Sequence, residues 1–321
     1  MNVLSLFDGM SCGQIALNRI GMKPAKYYAS ELDKYAIKVT QANYPNTIQL
    51  GDVTKWREWD IDWSSIDLLI GGSPCQGFSF AGKQLAFDDP RSKLFFVYVD
   101  ILNHIKSVNP NVKFLLENVK MKKEYLDIIS EHLGVEPVFI NSALVSAQNR
   151  QRYYWANWEI GLPEDKGIVL ADIIEDGVVD RDKSWCIDAN YFKGGNLKSY
   201  FEKHRRQLVF ELSKINPRCV DVSINENGIR PHRGDKRKSG ISELGRMIFT
   251  DGRKTYALTT SHMPKIIDHL GYRKLTPVEC ERLQTVPDGY TAHVSNTQRY
   301  KMLGNGWTVD VIAHIFRQGL L

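Results

Sequence analysis

Short apolar runs and amphipathic stretches take turns along the first half of the chain. Residues 3–7, 27–31, 66–70, 114–116 and 138–140 are mostly apolar and of strand length. Residues 13–20, 93–106 and 122–133 have the spacing of helices. Local punctuation agrees: Gly21 is a natural stop for the first helix, and Asp33 can cap another that fades before Asn43-Tyr44-Pro45. Apolar strands separated by helices predict an α/β fold, a mostly parallel sheet covered on both faces. Ligands of such sheets sit outside the carboxyl ends of the strands. Beyond about Pro163 the texture changes, and residues 165–271 are rich in Lys, Arg, Gly and Asn with only short apolar runs. Alternation resumes near Leu275 and ends in an amphipathic helix over 309–316. The pattern predicts one large domain built from both chain ends, 1–164 and 272–321, around a smaller insert, 165–271.

Composition narrows the class without naming a function. Hydrophobic residues are 43% and charged residues 25% of 321, the balance of a folded globular chain rather than a disordered one. No apolar run approaches the eighteen or so residues of a membrane span, and the first residues lack the basic leader of a secretory signal. The five cysteines, Cys12, Cys75, Cys186, Cys219 and Cys280, are scattered and form no C-x-x-C pair. That argues against a disulfide framework and a zinc site, and suits a reducing cytoplasm. A net charge of +5 is compatible with a nucleic-acid partner but does not require one.

Several polar residues stand where a packed sheet has no need of them. Gly71-Gly72-Ser73-Pro74-Cys75-Gln76-Gly77 follows the 66–70 run, so Cys75 lies just past a buried strand among residues that bend easily. It is either an incidental buried cysteine or a nucleophile. The turn Phe7-Asp8-Gly9-Met10-Ser11-Cys12-Gly13 lacks the G-x-G-x-x-G spacing of pyrophosphate sites, which counts against NAD or FAD. Glu31 ends the 27–31 run and Asp52 comes between it and the 66–70 run, placed to hold a ligand such as ribose hydroxyls or to be plain surface acids. Glu117 continues the 114–116 run, as a site residue or as half of a structural salt bridge. Arg150 and Arg152 stand two apart, so on a strand both would face one anionic or carbonyl-bearing ligand; a solvated basic edge is the alternative.

Taken in order, six motifs resemble the DNA cytosine-5 methyltransferases: 7–13, Pro74-Cys75-Gln76 within 72–79, Glu117-Asn118-Val119, Gln148-x-Arg150-x-Arg152, Leu275-Thr276-Pro277 with Arg282-Leu283-Gln284, and Leu303-Gly304-Asn305-Gly306. The resemblance implies a Rossmann-like S-adenosylmethionine-dependent methyltransferase fold that releases S-adenosylhomocysteine. It makes Cys75 the nucleophile that adds to cytosine C6, so that C5 can take the methyl group. Glu117 would hold cytosine N3, Arg152 would steady O2, and Arg150 would support the same site. Phe7, Asp8, Gly9, Met10 and Gly13 would line the methionine end of the cofactor, Glu31 its ribose and Asp52 its adenine. Leu32, Val53 and Leu94 would be apolar walls, with Asn305, Gly306 and Trp307 closing the pocket.

Two departures from the usual family pattern stand out. Gly9-Met10-Ser11-Cys12-Gly13 replaces a G-x-G-G cluster, and Gly306-Trp307-Thr308-Val309 replaces Gly-Asn-Ser-Val. Both variants look like the animal de novo methyltransferases, in which a matching tryptophan packs by the cofactor. The long insert looks instead like a bacterial or phage enzyme.

The resemblance also implies double-stranded DNA as substrate, with the target base flipped out of the helix. Gln76, Gly77 and Ser79 would contact DNA, and the 77–89 loop would close on the flipped base. The insert becomes a target-recognition domain, with Arg230, Arg233, Lys236, Arg237 and Lys238 as DNA contacts, His204-Arg205-Arg206 as a second basic cluster and Thr259 in a closing turn. A monomer acting in a bacterial or phage-infected cytoplasm, alongside a restriction endonuclease, is the accompanying expectation. Three rivals stand beside this reading. A transfer-RNA methyltransferase would carry a Cys-Phe-Thr signature and a short insert. An inactive DNA-binding relative would not retain Cys75, Glu117 and Arg152 together. A thiol hydrolase would need a partnered histidine, and the eight histidines include none in a triad motif.

Overall fold

A computed structural model of the chain describes residues 1–74, 93–211 and 271–321, with the backbone of two further strands, Val222–Asn225 and Gly228–Pro231. The first half alternates as its pattern predicts. Strands β1 (Asn2–Leu6), β2 (Lys26–Ser30), β3 (Ile48–Gln49), β4 (Ile66–Gly71) and β5 (Lys113–Val119) are parallel to one another. Strands β6 (Val138–Asn141) and β7 (Gln151–Ala156) complete the sheet antiparallel, in the order β3-β2-β1-β4-β5-β7-β6. Between β1 and β4 the strand order reverses, which opens a crevice at their carboxyl ends.

Alternation of side chains along β1 and β4 sorts the core onto two faces. Val3, Leu68 and Ile70 pack on one side with helices α1 (Cys12–Arg19) and α8 (Val309–Leu320). Leu4, Leu6, Ile66 and Leu69 pack on the other with α3 (Lys93–Val108) and α4 (Lys123–Leu133). Helix α2 (Lys34–Asn43) starts where the sequence places it, with the Asp33 carboxylate accepting from the Tyr35 amide at 2.9 Å.

The insert is not set apart from this core over its first part. Leu170, Ile173, Ile187, Tyr191 and Val209 join the cluster that contains α1 and α8. Strand β8 (Leu208–Glu211) pairs antiparallel with β11 (Gly271–Lys274), while β9 (Val222–Asn225) and β10 (Gly228–Pro231) form a hairpin of their own. A short helix, α5 (Leu197–Lys203), lies between.

The motifs of the last fifty residues turn out to be joints. Leu275-Thr276-Pro277 starts helix α6 (Pro277–Leu283): Thr276 caps it, accepting from the Glu279 amide at 3.1 Å, and Glu279 reaches back to the Thr276 amide at 2.7 Å. Gln284 then works on both sides. Its amide group donates to Leu303 and Gly306 carbonyls at 2.7 and 3.1 Å, and its oxygen accepts from the Thr308 hydroxyl at 2.9 Å. Helix α7 (Asn296–Asn305) ends there, and Gly304 approaches the Asp188 backbone so closely that an added Cβ would sit 2.2 Å from its carbonyl carbon.

Arg150 closes the same joint. Strand β7 begins one residue after it. Arg150 is 3% exposed and donates to the carbonyls of Ile187 (3.2 Å), Gly304 (3.2 Å) and Gly306 (2.8 Å). Buried carbonyls need partners, and one planar fork supplies three.

Two substitutions test this joint. Arg150→Met, which keeps length but removes the donors, and Gly304→Ala, which adds a methyl where backbone already stands, should each lower stability by about 1–3 kcal/mol. Because they loosen one contact, the double variant should lose less than the sum of the two, as measured by thermal or urea unfolding. Additive losses would show that they act on separate joints.

Candidate functional site

The carboxyl ends of β1 to β5 converge on one cavity of about 650 Å³. Its walls are the segments that leave each strand: residues 7–10 and Cys12 after β1, 30–33 after β2, 51–54 after β3, 72–74 after β4 and 117–119 at the end of β5. Arg150, Arg152, Met302 and residues 304–307 close it from the far side.

The first turn is unusual backbone held by side chains. Phe7 and Ser11 have φ of 57° and 60°, the left-handed region that non-glycine residues seldom occupy. The Ser11 hydroxyl donates to the Asp8 carboxylate and accepts from Gln14 and Thr40, each at 3.2 Å, a buried knot that holds the strained residue. The other Asp8 oxygen accepts from the Tyr27 hydroxyl at 2.8 Å. Burial pushes the Asp8 carboxyl up to about 6, and nearby Glu31 adds to this. Hydrogen bonds from Ser11, Ser5 and Tyr27 oppose the rise.

Glu31 directly follows β2, with its carboxylate already directed. One oxygen accepts from the Leu32 and Asp33 amides and the other from the Gly9 amide, all at 2.7 Å. A carboxylate offers about four acceptor directions, so about one stays open to the cavity. Asp52 is capped from its own turn, where the Thr54 amide and hydroxyl hold its carboxyl below the ordinary value. The cavity thus gathers Asp8, Glu31, Asp33 and Asp52 from the loops after β1, β2 and β3, with Asp33 paired to Lys301 Nζ at 2.7 Å.

The opposite end is built on Glu117, which is 8% exposed. Its Oε1 accepts from Arg152 Nε at 2.8 Å, and its Oε2 accepts from the Trp307 indole N–H at 3.2 Å. The register makes the first contact: Val119 stands opposite Arg152 across β5 and β7, two residues beyond Glu117. Asn118 turns the other way and donates to the Ser73 hydroxyl at 3.2 Å, tying this strand end to the segment leading into Cys75.

Most of the sequence-predicted residues meet here. Phe7, Asp8, Gly9, Met10, Glu31, Leu32, Asp52, Val53, Leu94, Asn305, Gly306 and Trp307 all line the cavity, with Glu117, Arg150 and Arg152. Gly13 does not. It faces the sheet, where an added Cβ would lie 2.5 Å from Ile70 and 2.8 Å from the Tyr27 hydroxyl, so its role is close helix–strand packing. Cys75, Gln76, Gly77, Ser79, Arg233, Lys236, Arg237, Lys238 and Thr259 lie outside the described residues, as does the 77–89 loop; of Arg230 only the backbone, in β10, is described.

Sequence reasoning missed Cys12, Gly72, Ser73 and Met302 as lining residues. Cys12 and Gly72 lay inside motifs already marked. Met302 carries no signal beyond its place one turn before Gly306. Burial pushes the Cys12 thiol up to about 12, so the cysteine seen in the cavity is held protonated.

Comparison with known proteins gives the same picture. The family model described as C-5 cytosine-specific DNA methylase matches residues 1–320. Type II methyltransferase M.HpaII of Haemophilus parainfluenzae is 30% identical, the alignment covering 96% of this chain and 86% of that protein. Orphan methyltransferase M.SPRI of Bacillus phage SPR is 28% identical over 99% of this chain and 97% of its own. Among solved structures, the Entamoeba histolytica methyltransferase EhMeth superposes with a TM-score of 0.67 at 16% identity, covering 99% of this chain and 97% of that one. Matched by the family model over residues 1–320, and by relatives over nearly its whole length, the chain belongs to the C-5 cytosine-specific DNA methylases.

Proposed function

We propose that the acidic end of the cavity holds S-adenosylmethionine, that Glu117 and Arg152 hold the flipped cytosine, and that Cys75 is the nucleophile. The activity itself follows from the family: the chain is a DNA (cytosine-5) methyltransferase with S-adenosylmethionine as methyl donor. One observation carries the residue assignment: a single cavity is acidic at one end and bears an arginine-paired carboxylate at the other.

The acidic end fits this donor. S-adenosylmethionine has no phosphates and, with a sulfonium and an ammonium against one carboxylate, is net positive, so Asp8, Glu31 and Asp52 suit it and would repel a dinucleotide. Glu31 would accept from a ribose hydroxyl through its remaining acceptor direction, while Phe7, Val53 and Trp307 pack against the flat base. When bound, the cofactor supplies an electrophilic methyl group.

The chain's own residues supply the rest. The Cys75 thiolate would add to C6 of cytosine, breaking the C5–C6 double bond and placing electron density on C5. Glu117 would hold the N3 side of the ring and so favour that addition, while Arg152 steadies the carbonyl at C2. After C5 gains the methyl group, a base removes its proton and the Cys75–C6 bond breaks, restoring the ring and the thiolate. Cys75 directly follows Pro74, which lines the cavity, and the cysteine within the cavity, Cys12, is protonated.

We assign the 165–271 segment to DNA recognition, with the Lys- and Arg-rich stretch 230–238 contacting phosphates. We assign its action to a monomer in the cytoplasm of a bacterial or phage-infected cell, the setting its bacterial and phage relatives suggest; the Type II name of M.HpaII favours a restriction endonuclease as partner, and the orphan name of M.SPRI does not. No helix among the described residues is long and apolar enough to cross a membrane.

Three measurements test this reading. Labelled methyl transfer to duplex DNA, with tRNA as control, should be abolished in Cys75→Ser, and DNA bearing 5-fluorocytosine should trap the wild type covalently at Cys75. An adduct on another cysteine would overturn the assignment.

The second concerns pH. Because the Asp8 carboxyl is raised to about 6, its contribution to the stability of the ligand-free fold is complete below its unfolded value and lost as pH rises through about 6. A cationic ligand needs the ionised form, so cofactor affinity should fall by up to about tenfold per pH unit below 6. Asp8→Asn should bind more weakly and lose that slope; an unchanged slope by calorimetry would place the cation elsewhere.

The third concerns the insert. Neutralising Lys236 and Lys238 together should weaken DNA binding on all sequences alike and reduce the salt slope by up to about two counterions. A kept slope with an altered methylated sequence, read by bisulfite sequencing, would make them base-reading residues instead.

A further inference from the structure

We infer that Trp307 is a positioning residue as well as a cofactor wall: its indole N–H tethers the base-holding carboxylate of Glu117 to the cofactor cavity. The inference rests on the reading of Glu117 above and adds a coupling between the two halves of the site.

The geometry has three parts. Trp307 has a fixed base. The carbonyl before it, on Gly306, takes donors from Arg150 and Gln284, and the Thr308 hydroxyl after it donates to Gln284. The Val309 amide also donates to the Gln284 carbonyl at 2.9 Å. With the backbone pinned on both sides, the indole starts from a fixed point, and its own direction is set by the bond its Nε1 makes.

Second, the indole meets two partners at once. Its ring lines the cavity, and its Nε1 donates to Glu117 Oε2 at 3.2 Å. Arg152 Nε holds the other oxygen, Oε1, at 2.8 Å. The last torsion of a glutamate is broad, so one donor leaves the carboxylate plane free to swing, and a second on the opposite oxygen fixes it. An indole N–H is a donor only, so it orients Glu117 without competing for a proton of the base.

Third, the pair is wedged against the chain that leads to Cys75. A Cβ added at Gly72 would lie 3.0 Å from both Glu117 Oε2 and Trp307 Nε1. The tether therefore passes directly beside the segment 72–74. A ligand packed on the indole would restrain Glu117 from one side, and a base held by Glu117 would restrain the indole from the other. By linkage, the cofactor and the target base should each tighten the binding of the other.

Trp307→Phe tests this, because it keeps an aromatic wall and removes the donor. Three quantities are read on the full-length protein: S-adenosylhomocysteine affinity by calorimetry, the single-turnover methyl-transfer rate at saturating cofactor and DNA, and DNA affinity with and without S-adenosylhomocysteine. The variant should keep cofactor affinity within about threefold. Its transfer rate should fall about tenfold or more, the size expected for a hydrogen bond to a charged group. The wild type should bind DNA more tightly with S-adenosylhomocysteine than without it, and in the variant this gain should largely vanish. In a Glu117→Gln background the same substitution should add little. Trp307→Tyr, which also lacks the indole donor, serves if the phenylalanine variant does not fold.

Wild-type rate and coupling in Trp307→Phe would overturn the tether, as would a rate that falls only in step with cofactor affinity. A Glu117→Gln variant at wild-type rate would instead overturn the reading of Glu117 itself. An inactive Glu117→Gln beside an unimpaired Trp307→Phe would overturn the tether alone.

Discussion

Everything in this molecule depends on joining the two ends of the chain at one place. Strands β1 to β5 supply most of the cavity, but its last wall, residues 304–307, arrives after an insert of about a hundred residues. Closing so long a loop has an entropic cost that hydrophobic packing of α8 alone leaves without direction. Direction comes from buried polar groups: Gln148 bonds to the Leu283 carbonyl and to Gln284, and Arg150 to the Gly304 carbonyl, across 135 residues and more of sequence, while Gln284 extends the link to Leu303. A hydrogen bond fixes angle and register, which an apolar contact does not. Residues that read as chemistry in the sequence are here the means by which the wall bearing Trp307 is held to the sheet.

That joint gives the cavity two different ends. The acids Asp8, Glu31, Asp33 and Asp52 come from loops after β1, β2 and β3, where each carboxylate is held by hydrogen bonds from its own or a neighbouring turn. The cations Arg150 and Arg152 come from just before β7 and from β7 itself, on the other side of the switch point. Strand order thus separates the charges, and the polarity of the cavity follows from topology. Only at Glu117 do the two meet, because β5 pairs with β7 and brings an acid onto the arginine side.

Much of this was legible in the sequence, and the failures have physical causes. The strands and helices of the first half announced themselves because buried parallel strands are nearly continuous apolar runs. The cavity walls were legible because the segments that leave the strands carried polar residues where packing has no use for them. The bracing role of Arg150 was not legible because the carbonyls it bonds, on Ile187, Gly304 and Gly306, lie far away in the sequence. Gly13 was misread because a glycine needed for a close approach between helix and strand looks, in one sequence, like a glycine needed for a ligand. Cys12 escaped notice because its exposure to the cavity depends on Gly306, nearly three hundred residues away, where an added Cβ would lie 3.4 Å from its sulfur.

The same dependence on distant groups explains how the chain tolerates its unusual first turn. A cluster of glycines would enter the left-handed region without strain, yet this chain places Phe7 and Ser11 there. Each such residue costs on the order of 1–3 kcal/mol unless its surroundings compensate. At Ser11 the compensation is specific: Asp8, Gln14 and Thr40 all bond to its hydroxyl, contacts a glycine could not make. Gln14 in turn donates to the Thr47 hydroxyl at 2.8 Å, and Thr40 lies on α2, so the strained turn is braced from two neighbouring segments. The brace fixes Asp8 as well, because its carboxylate is one partner in the knot. A turn that glycines would make supple is here made rigid, and the acid facing the cavity is held ready in place before any ligand arrives.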